Sequence, residues 1–204
     1  MSLLTNWGYT LTAVDTIPAM LTAQEYAEYS GRDDDTTRVN AEISAACGAI
    51  RNFVGWHLYP AMACKVEIMA SDRRVTFTGK DVIIQLPARH VSAVASVTIA
   101  GTAHEFFIDA NGLLYVFGAY ECGRHTIITV EYTAGLSDEL MAPIKELIAH
   151  RVTHSVAVPS GITSEASGGV SVTYNANWIN NSRATGLAGD NKELLIPYKV
   201  QGVF

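Results

Sequence analysis

Residues 126–132 read TIITVEY and residues 94–99 read VASVTI, and these two segments decide the fold class. Polar and apolar side chains largely alternate along both, as they do in a strand that buries one face. Five further segments before Tyr132 repeat this period of two, and turn-forming residues separate them. They are Lys65–Met69, Val75–Thr78, Val82–Leu86, Glu105–Ile108 and Leu113–Val116. The sequence therefore predicts an antiparallel β lobe over residues 61–136, folded as a small sandwich or barrel.

The strongest turn signal in this region is DANG at residues 109–112. An Asn-Gly pair tolerates positive φ, which a tight hairpin connection requires. The segment also begins like a calcium-binding loop, but its glycine comes too early and Tyr120 stands where the closing glutamate belongs. We therefore interpret it as the turn of a hairpin.

The segments on either side of the β lobe have a helical period. Thr22 and Glu25 form a capping box that begins a short helix, and Gly31 is a suitable residue to end it. A long apolar stripe from Val39 to Val54 then indicates a second helix, in which Cys47 is a buried structural thiol. Pro143 is suited to the first position of a third helix, which continues to about Ser155.

Three adjacent carboxylates precede the second helix at residues 33–35. Negative charge is favourable at the positive end of a helix dipole, so an acidic first turn is the preferred interpretation. A cation site is the alternative that the sequence leaves open.

The predicted fold class is α+β, with a small helical bundle core of about three helices and the antiparallel β lobe inserted into it. An extended loop or hairpin arm completes the prediction. The boundaries are an N-terminal arm at 1–20, the helical core at 21–60 and 137–158, the β lobe at 61–136, the extended arm at 159–178 and a C-terminal tail at 179–204.

The composition excludes several classes of protein. Hydrophobic residues make up 49% and charged residues 17% of 204 residues, which is unlike an intrinsically disordered chain. The formal net charge is −6, from 14 Lys and Arg against 20 Asp and Glu, so tight nucleic-acid binding over the whole surface is not expected.

The cysteines and the N-terminal sequence are consistent with an intracellular protein. Cys47, Cys64 and Cys122 are odd in number and widely spaced, which argues against a disulfide framework or a cysteine zinc site. We expect a reducing compartment, no signal peptide and no membrane-spanning helix.

Candidate catalytic groups are few. His150 and His154 have the spacing of two metal ligands, but Arg151 stands where a zinc protease has its glutamate. Cys122 and His125 are close in sequence but match no nucleophile motif. Phosphate-binding glycine loops and a nucleophile elbow are also missing from the sequence. We therefore predict a structural protein that is not an enzyme and has no cofactor and no metal site.

Eight short segments occur in a particular order along residues 21–178. They are LTAQE (21–25), DDD (33–35), IRNFVGWHL (50–58), IQLP (84–87), VSAVASV (91–97), VEYTAG (130–135), SE (164–165) and GGVSVTY (168–174). In this order the chain resembles the head–tail connector proteins, also called adaptor or head-completion proteins, of long-tailed bacteriophages and prophages. The family pattern would place a proline near position 90, where this chain has His90.

The resemblance implies a structural virion protein that forms an oligomeric ring, dodecameric in the virion. The ring would lie at the virion neck between the portal protein and a tail-proximal neck or stopper protein. It would complete the DNA-filled head, provide a conduit for DNA without sequence-specific binding, and attach the tail. The chain would be synthesised in the bacterial host cytoplasm and would contact no membrane. The arm would extend from the subunit, and the tail would reach the portal.

The arm and the tail carry apolar residues that suit such contacts, because a closed ring joins different surfaces of adjacent subunits. Ten residues are candidates for the subunit or portal interface: Val170, Val172, Tyr174, Trp178, Ile179, Leu194, Leu195, Ile196, Tyr198 and Phe204. The arm is rich in Gly and Ser, so it could become ordered on assembly or pair as an added strand with a neighbour.

Two other functions remain as alternatives. The first is a tail-completion or neck protein of another type, which would bind the tail tube rather than the portal. The second is a small metal-dependent enzyme that uses His150, His154 and a carboxylate.

We predict that Trp178→Asp impairs assembly more than folding, because this large apolar residue lies in a segment too polar to form its own core. Light scattering would measure assembly, and thermal unfolding of the monomer would measure stability. Equal loss of monomer stability would place Trp178 in the core instead.

Overall fold

The structure, a computed structural model, describes residues 2–109, 112–119, 123–157, 164–167, 170–173 and 189–200. These residues form two compact units. The sheet unit comprises the described residues within 1–18, 55–137 and 198–204, and the helical unit comprises those within 19–54 and 138–197. Each unit is therefore built from segments that are distant in sequence.

Ten strands lie in the described part of the sheet unit. They are β1 (Ser2–Leu4), β2 (Thr10–Thr12), β3 (Met62–Met69), β4 (Val75–Thr78), β5 (Asp81–Gln85), β6 (Val91–Ile99), β7 (Thr102–Ala103), β8 (Phe106–Ile108), β9 (Leu113–Val116) and β10 (Ile127–Ala134). Six form an antiparallel sheet in the order β1-β2-β3-β10-β6-β7, and four form a second antiparallel sheet in the order β4-β5-β9-β8. The seven strands predicted from the period of two are all confirmed, with boundaries that differ by a few residues.

Strand β10 lies inside the six-stranded sheet, where it pairs with both β3 and β6. Its side chains alternate, so that Ile128, Val130 and Tyr132 are buried while Glu131 is exposed. The four-stranded sheet also buries one face, since Val82 pairs with Val116 and both are buried. The alternation seen in the sequence is thus the alternation of a buried and an outer face in each sheet.

The helical unit contains α1 (Ala23–Ser30), α2 (Thr36–Val54), α3 (Asp138–Ala157) and α4 (Gly189–Leu195), and an antiparallel pair of strands, β11 (Ser164–Ser167) and β12 (Val170–Thr173). A single 3-10 turn follows at Ile196–Tyr198. None of the helices in these described residues combines the length and the apolar character needed to cross a bilayer.

The capping box that begins α1 is confirmed. The Thr22 hydroxyl accepts from the Glu25 backbone N–H, and the Glu25 carboxylate accepts from the Thr22 backbone N–H. Lys145 of α3 donates to the same carboxylate at 2.6 Å. Burial alone would raise the pKa of Glu25, but the hydrogen bonds from Lys145 and Thr22 outweigh it and lower the pKa. Gly31 ends the helix with a φ of 63°, as predicted.

The predicted fold class is wrong, because it gives the helices the main role and the β-strands too small a part. A core of three helices with a small inserted β lobe was expected, but the chain is a mixed α/β fold in which two antiparallel sheets supply ten strands. Four helices accompany them in the described residues. Part of the difference comes from residues 1–20, where an irregular arm was expected and where β1 and β2 join the larger sheet. These strands have three residues each, too few to show a period of two.

The start of α3 also differs from the prediction. The helix begins at Asp138, so Pro143 lies within it rather than at its first position. Proline has no N–H to donate to the carbonyl of Glu139 one turn earlier, which weakens the helix there. Acidic Asp138 and Glu139 in the first turn favour the earlier start through the helix dipole.

The acidic segment before α2 caps the helix rather than forming its first turn. Asp35 Oδ1 accepts from the backbone N–H of Thr37 at 3.0 Å, and α2 begins at Thr36. Asp34 Oδ2 accepts from the Tyr26 hydroxyl and from Arg32 Nε, both at 2.9 Å. These contacts account for two of the three carboxylates as parts of the helical unit.

Gly135 follows β10 where the backbone leaves no room for a side chain. Its φ is +150°, and an added Cβ would lie 2.5 Å from the nitrogen of Ala61 and 2.6 Å from the carbonyl oxygen of Pro60. Hydrogen bonds on each side hold the segment in place, from Gly135 N to His90 O at 3.2 Å and from Leu136 N to Leu58 O at 2.8 Å. The position therefore requires glycine.

We predict that Gly135→Ala lowers the free energy of unfolding by about 3 kcal/mol, because the new methyl group overlaps backbone atoms that cannot move easily. Gly101→Ala is the matched control, since Gly101 also has a positive φ (+83°) but nothing lies within 4 Å of an added Cβ. The control should cost about 1 kcal/mol through backbone strain alone. Urea unfolding measures both, and equal losses would contradict the steric argument.

Candidate interaction surfaces

A buried hydrogen-bond network joins three segments of the sheet unit. His57 has no exposed surface, and its Nδ1 lies 2.7 Å from the Tyr9 hydroxyl. Its Nε2 lies 2.8 Å from the carbonyl oxygen of Ala134, which can only accept, so Nε2 carries the proton. In the neutral ring Nδ1 then accepts from the Tyr9 hydroxyl, and that hydroxyl accepts from the His57 backbone N–H at 3.0 Å. Every member of the network is buried, so the network holds the three segments together and is part of the core.

An aromatic cluster next to this network holds Tyr198, near the end of the described C-terminal segment. Trp56 Nε1 donates to the backbone carbonyl of Tyr198 at 2.7 Å. The His90 ring stacks on Trp56, with ring centroids 6.5 Å apart and planes at 9°, and lies 5.7 Å from the Tyr198 ring. The tail residue Tyr198 is thus fixed to its own sheet unit by one hydrogen bond and one ring contact.

His90 has a backbone conformation that excludes proline. Its φ is +53°, a value that proline cannot adopt because its ring fixes φ near −65°. Partial burial, and then the charge of Arg89, lower the pKa of His90, so the stacked ring is neutral at physiological pH. The left-handed backbone at His90 places its ring in the aromatic cluster.

The candidate interface residues are only partly within the described structure. Val170 and Val172 lie in β12. Leu194 and Ile196 are 39% and 57% exposed, whereas Leu195 is fully buried and leaves little surface for a partner. Tyr174, Trp178, Ile179 and Phe204 lie outside the described residues, and their assignment stays a prediction.

The sequence analysis missed an apolar surface on the outer face of the four-stranded sheet. Ile83, Tyr115 and Phe107 are directly paired across β5, β9 and β8 and point away from the buried face. Phe107 is 57% exposed, and its ring lies 6.2 Å from that of Tyr115. Phe117, just after β9, is 45% exposed on the same side. We call these four residues the outer aromatic face.

The outer face of the six-stranded sheet has the opposite character. Lys65 and Glu67 form an ion pair at 2.9 Å, and Glu131 accepts a hydrogen bond from Ser96 at 3.1 Å. Ile127, at the end of this face, is an exposed apolar residue. Apart from Ile127 and its partner Met69, this face is mostly polar, whereas the four-stranded sheet carries its aromatic group beside polar Thr76. The alternation of polar and apolar residues in the sequence could not reveal the aromatic group, since both faces of β5 and β9 carry apolar side chains.

The groups considered for catalysis are placed as follows. His150 and His154 are exposed, with ring centroids 6.5 Å apart on α3. Within the described residues, no group of three His, Cys, Asp or Glu side chains is arranged to hold a metal ion. Cys122 lies outside the described residues, so its relation to the exposed His125 is not described.

Two cysteines are buried and protonated at neutral pH. Burial raises the pKa of the Cys47 thiol, which accepts from the Met20 backbone N–H at 3.4 Å. Burial also raises the pKa of the Cys64 thiol to about 12. A thiol is nucleophilic mainly as the thiolate, so neither is a nucleophile. The prediction that Cys47 is a buried structural thiol is confirmed.

Comparison with known proteins gives no family assignment. No protein-family description matches the chain, and no curated protein matches its sequence.

We predict that Tyr9→Phe lowers the free energy of unfolding by about 3 kcal/mol, because it removes the hydroxyl that bonds both Nδ1 and the backbone N–H of buried His57. Tyr29→Phe is the matched control, since Tyr29 is 49% exposed, and should change stability by less than about 0.5 kcal/mol. Chemical unfolding of both variants measures the difference. A cost for Tyr9→Phe no larger than that of the control would show that the network does not stabilise the fold.

Proposed function

We propose that the chain is a structural subunit of a virus particle. It would form an oligomeric ring between portal and tail, as in the head–tail connectors that its sequence resembles. The ring would complete the DNA-filled head, pass DNA without sequence-specific binding and attach a tail-proximal neck or stopper protein. The subunit would have no enzymatic activity.

The outer aromatic face is the observation that carries this proposal. Monomeric proteins seldom expose several large apolar side chains side by side, and such patches commonly mark contact with another protein. Phe107 and Phe117 are exposed, and the half-buried Tyr115 and Ile83 lie beside them on the same sheet. Aromatic residues are also the ones most enriched at the centres of protein interfaces.

The C-terminal segment offers a second apolar contact. Leu194 and Ile196 are exposed on either side of buried Leu195. A ring needs two different surfaces on each subunit, because contacts that close by rotation are heterologous. The outer aromatic face and the exposed residues of the C-terminal segment are two such surfaces.

The charge of the chain is compatible with a DNA conduit. Its formal net charge of −6 disfavours persistent attraction of DNA phosphates, so DNA could move past without being retained.

Solution mass across a concentration series, with electron microscopy of large species, tests the ring directly. We expect closed rings alone or on addition of the portal protein of the same virus. A chain that stays monomeric at every concentration and with that portal protein would overturn the proposal. Binding to the tail tube instead of the portal would assign it to another class of neck protein.

We predict that Phe107→Asp abolishes ring formation, because it places a charge on the most exposed residue of the outer aromatic face. Ile127→Asp is the matched control, an apolar residue of similar exposure (52% against 57%) on the other sheet. The control should assemble normally, and both variants should melt within a few degrees of the wild type, since neither side chain is buried. Normal assembly of Phe107→Asp, or equal loss in both variants, would remove this face from the interface.

A further inference from the structure

A pocket of about 300 Å³ lies wholly within the sheet unit. Its walls come from the β1–β2 turn, which contributes Trp7 and Gly8, and from the β3–β4 turn, which contributes Asp72, Arg73 and Arg74. Its volume exceeds that of a cavity that holds benzene, which is roughly 150 Å³. The pocket is therefore large enough for a small organic molecule.

Arg74 is held in one orientation in this pocket by Asp72. Its Nε donates to Asp72 Oδ1 at 3.0 Å and its Nη2 donates to Asp72 Oδ2 at 2.9 Å, so one edge of the guanidinium is occupied. The Arg74 backbone N–H donates to Asp72 Oδ1 as well, at 2.9 Å. The side chain of Arg74 is only 12% exposed. A guanidinium fixed in this way loses little conformational freedom on binding a ligand.

The remaining nitrogen of Arg74 is turned toward the β1–β2 turn. Nη1 would lie 3.8 Å from a Cβ built on Gly8, and it donates no hydrogen bond within the described part of the chain. Its two N–H groups can serve as donors to an oxyanion.

The Trp7 part of the lining is apolar, and it is also held in place. The Trp7 ring stacks with Tyr9 at 6.2 Å, and its backbone N–H donates to the Thr5 hydroxyl at 3.3 Å. Thr5 in turn donates to the carbonyl of Tyr9 at 2.6 Å, which closes the turn. Pro87 adds further apolar surface to the lining.

The Asp72–Arg74 pair leaves the pocket with donors for an anion. The hydrogen bonds from Arg74, together with the charge of Arg73, lower the pKa of Asp72. Asp72 therefore stays ionised and forms an ion pair with Arg74. With Asp72 bound to one edge of the guanidinium, Arg74 Nη1 supplies the donor groups that an anion requires.

We propose that this pocket binds a small flat acid, whose carboxylate or phosphate oxygens accept from Arg74 Nη1 and whose ring lies against Trp7. The inference does not depend on the proposed assembly, because all its residues belong to one subunit. The ligand class is defined by an oxyanion joined to a planar apolar body.

Benzoate is a suitable probe, with inorganic phosphate as the oxyanion that lacks a ring. Calorimetric titration of the full chain, with saturation-transfer NMR on the benzoate protons, measures binding whether or not the chain assembles. We expect benzoate to bind with a dissociation constant of about 1 mM, as suits so small a ligand, and inorganic phosphate to bind at least about tenfold more weakly.

Arg74→Lys should weaken benzoate binding about tenfold or more, because lysine keeps the charge but lacks the planar fork that Asp72 orients. Arg32→Lys is the matched control. Arg32 binds Asp34 through the same two nitrogen atoms, at 2.9 and 3.2 Å. It is 44% exposed, however, and belongs to the helical unit. Trp7→Leu leaves the Asp72–Arg74 pair intact and should also weaken binding.

Three results would overturn the proposal. One is no benzoate binding to the wild type up to about 10 mM. Another is unchanged binding in both Arg74→Lys and Trp7→Leu, with melting temperatures that show each variant is folded. The third is equal affinity for inorganic phosphate and benzoate, which would show that the indole wall contributes nothing.

Discussion

The buried imidazole of His57 is the constraint on which the sheet unit depends. It accepts from the hydroxyl of Tyr9, which lies just before β2, and donates to the carbonyl of Ala134, the last residue of β10. Three segments far apart in sequence are therefore fixed by one ring whose tautomer the geometry determines. Each partner is buried, so losing one bond would leave a polar group without water to replace it. The aromatic cluster of Trp56, His90 and Tyr198 builds on this arrangement, because Trp56 directly precedes His57.

Much of the local structure could be predicted from the sequence, because it depends on neighbouring residues. The capping box at Thr22, the end of α1 at Gly31 and the seven longer strands all follow from short-range patterns. The proportions of the fold could not be predicted, because β1 and β2 are too short to show a period and form only by pairing with each other and with β3. The start of α3 was predicted wrongly at Pro143. Proline favours the first position of a helix, but the acidic residues before it allow the helix to begin at Asp138.

The candidate surfaces were harder to predict than the elements that carry them. Apolar interface residues were predicted near the C-terminus. Of these, Leu194 and Ile196 are exposed but Leu195 is buried. The outer aromatic face could not be found from alternation, because Ile83 and Tyr115 follow apolar residues on strands that are apolar on both sides. The pocket beside Trp7 depends on two turns about 65 residues apart in sequence, and only the fold brings Trp7 and Arg74 together. Short-range rules identify elements, whereas surfaces arise from which elements become neighbours.

Both sheets of the sheet unit end in short strands. The six-stranded sheet has β1 with three residues and β7 with two at its edges, and the four-stranded sheet has β4 with four and β8 with three. Short outer strands leave the longer strands beside them partly uncovered, since β7 pairs only with Thr98 and Ile99 of the nine-residue β6. Within the described residues, residues 91–96 of β6 have no strand partner on the side away from β10, and such an edge can accept an added strand. A strand added there would extend the six-stranded sheet, so the sheet unit retains a tendency to self-associate that its short outer strands do not remove.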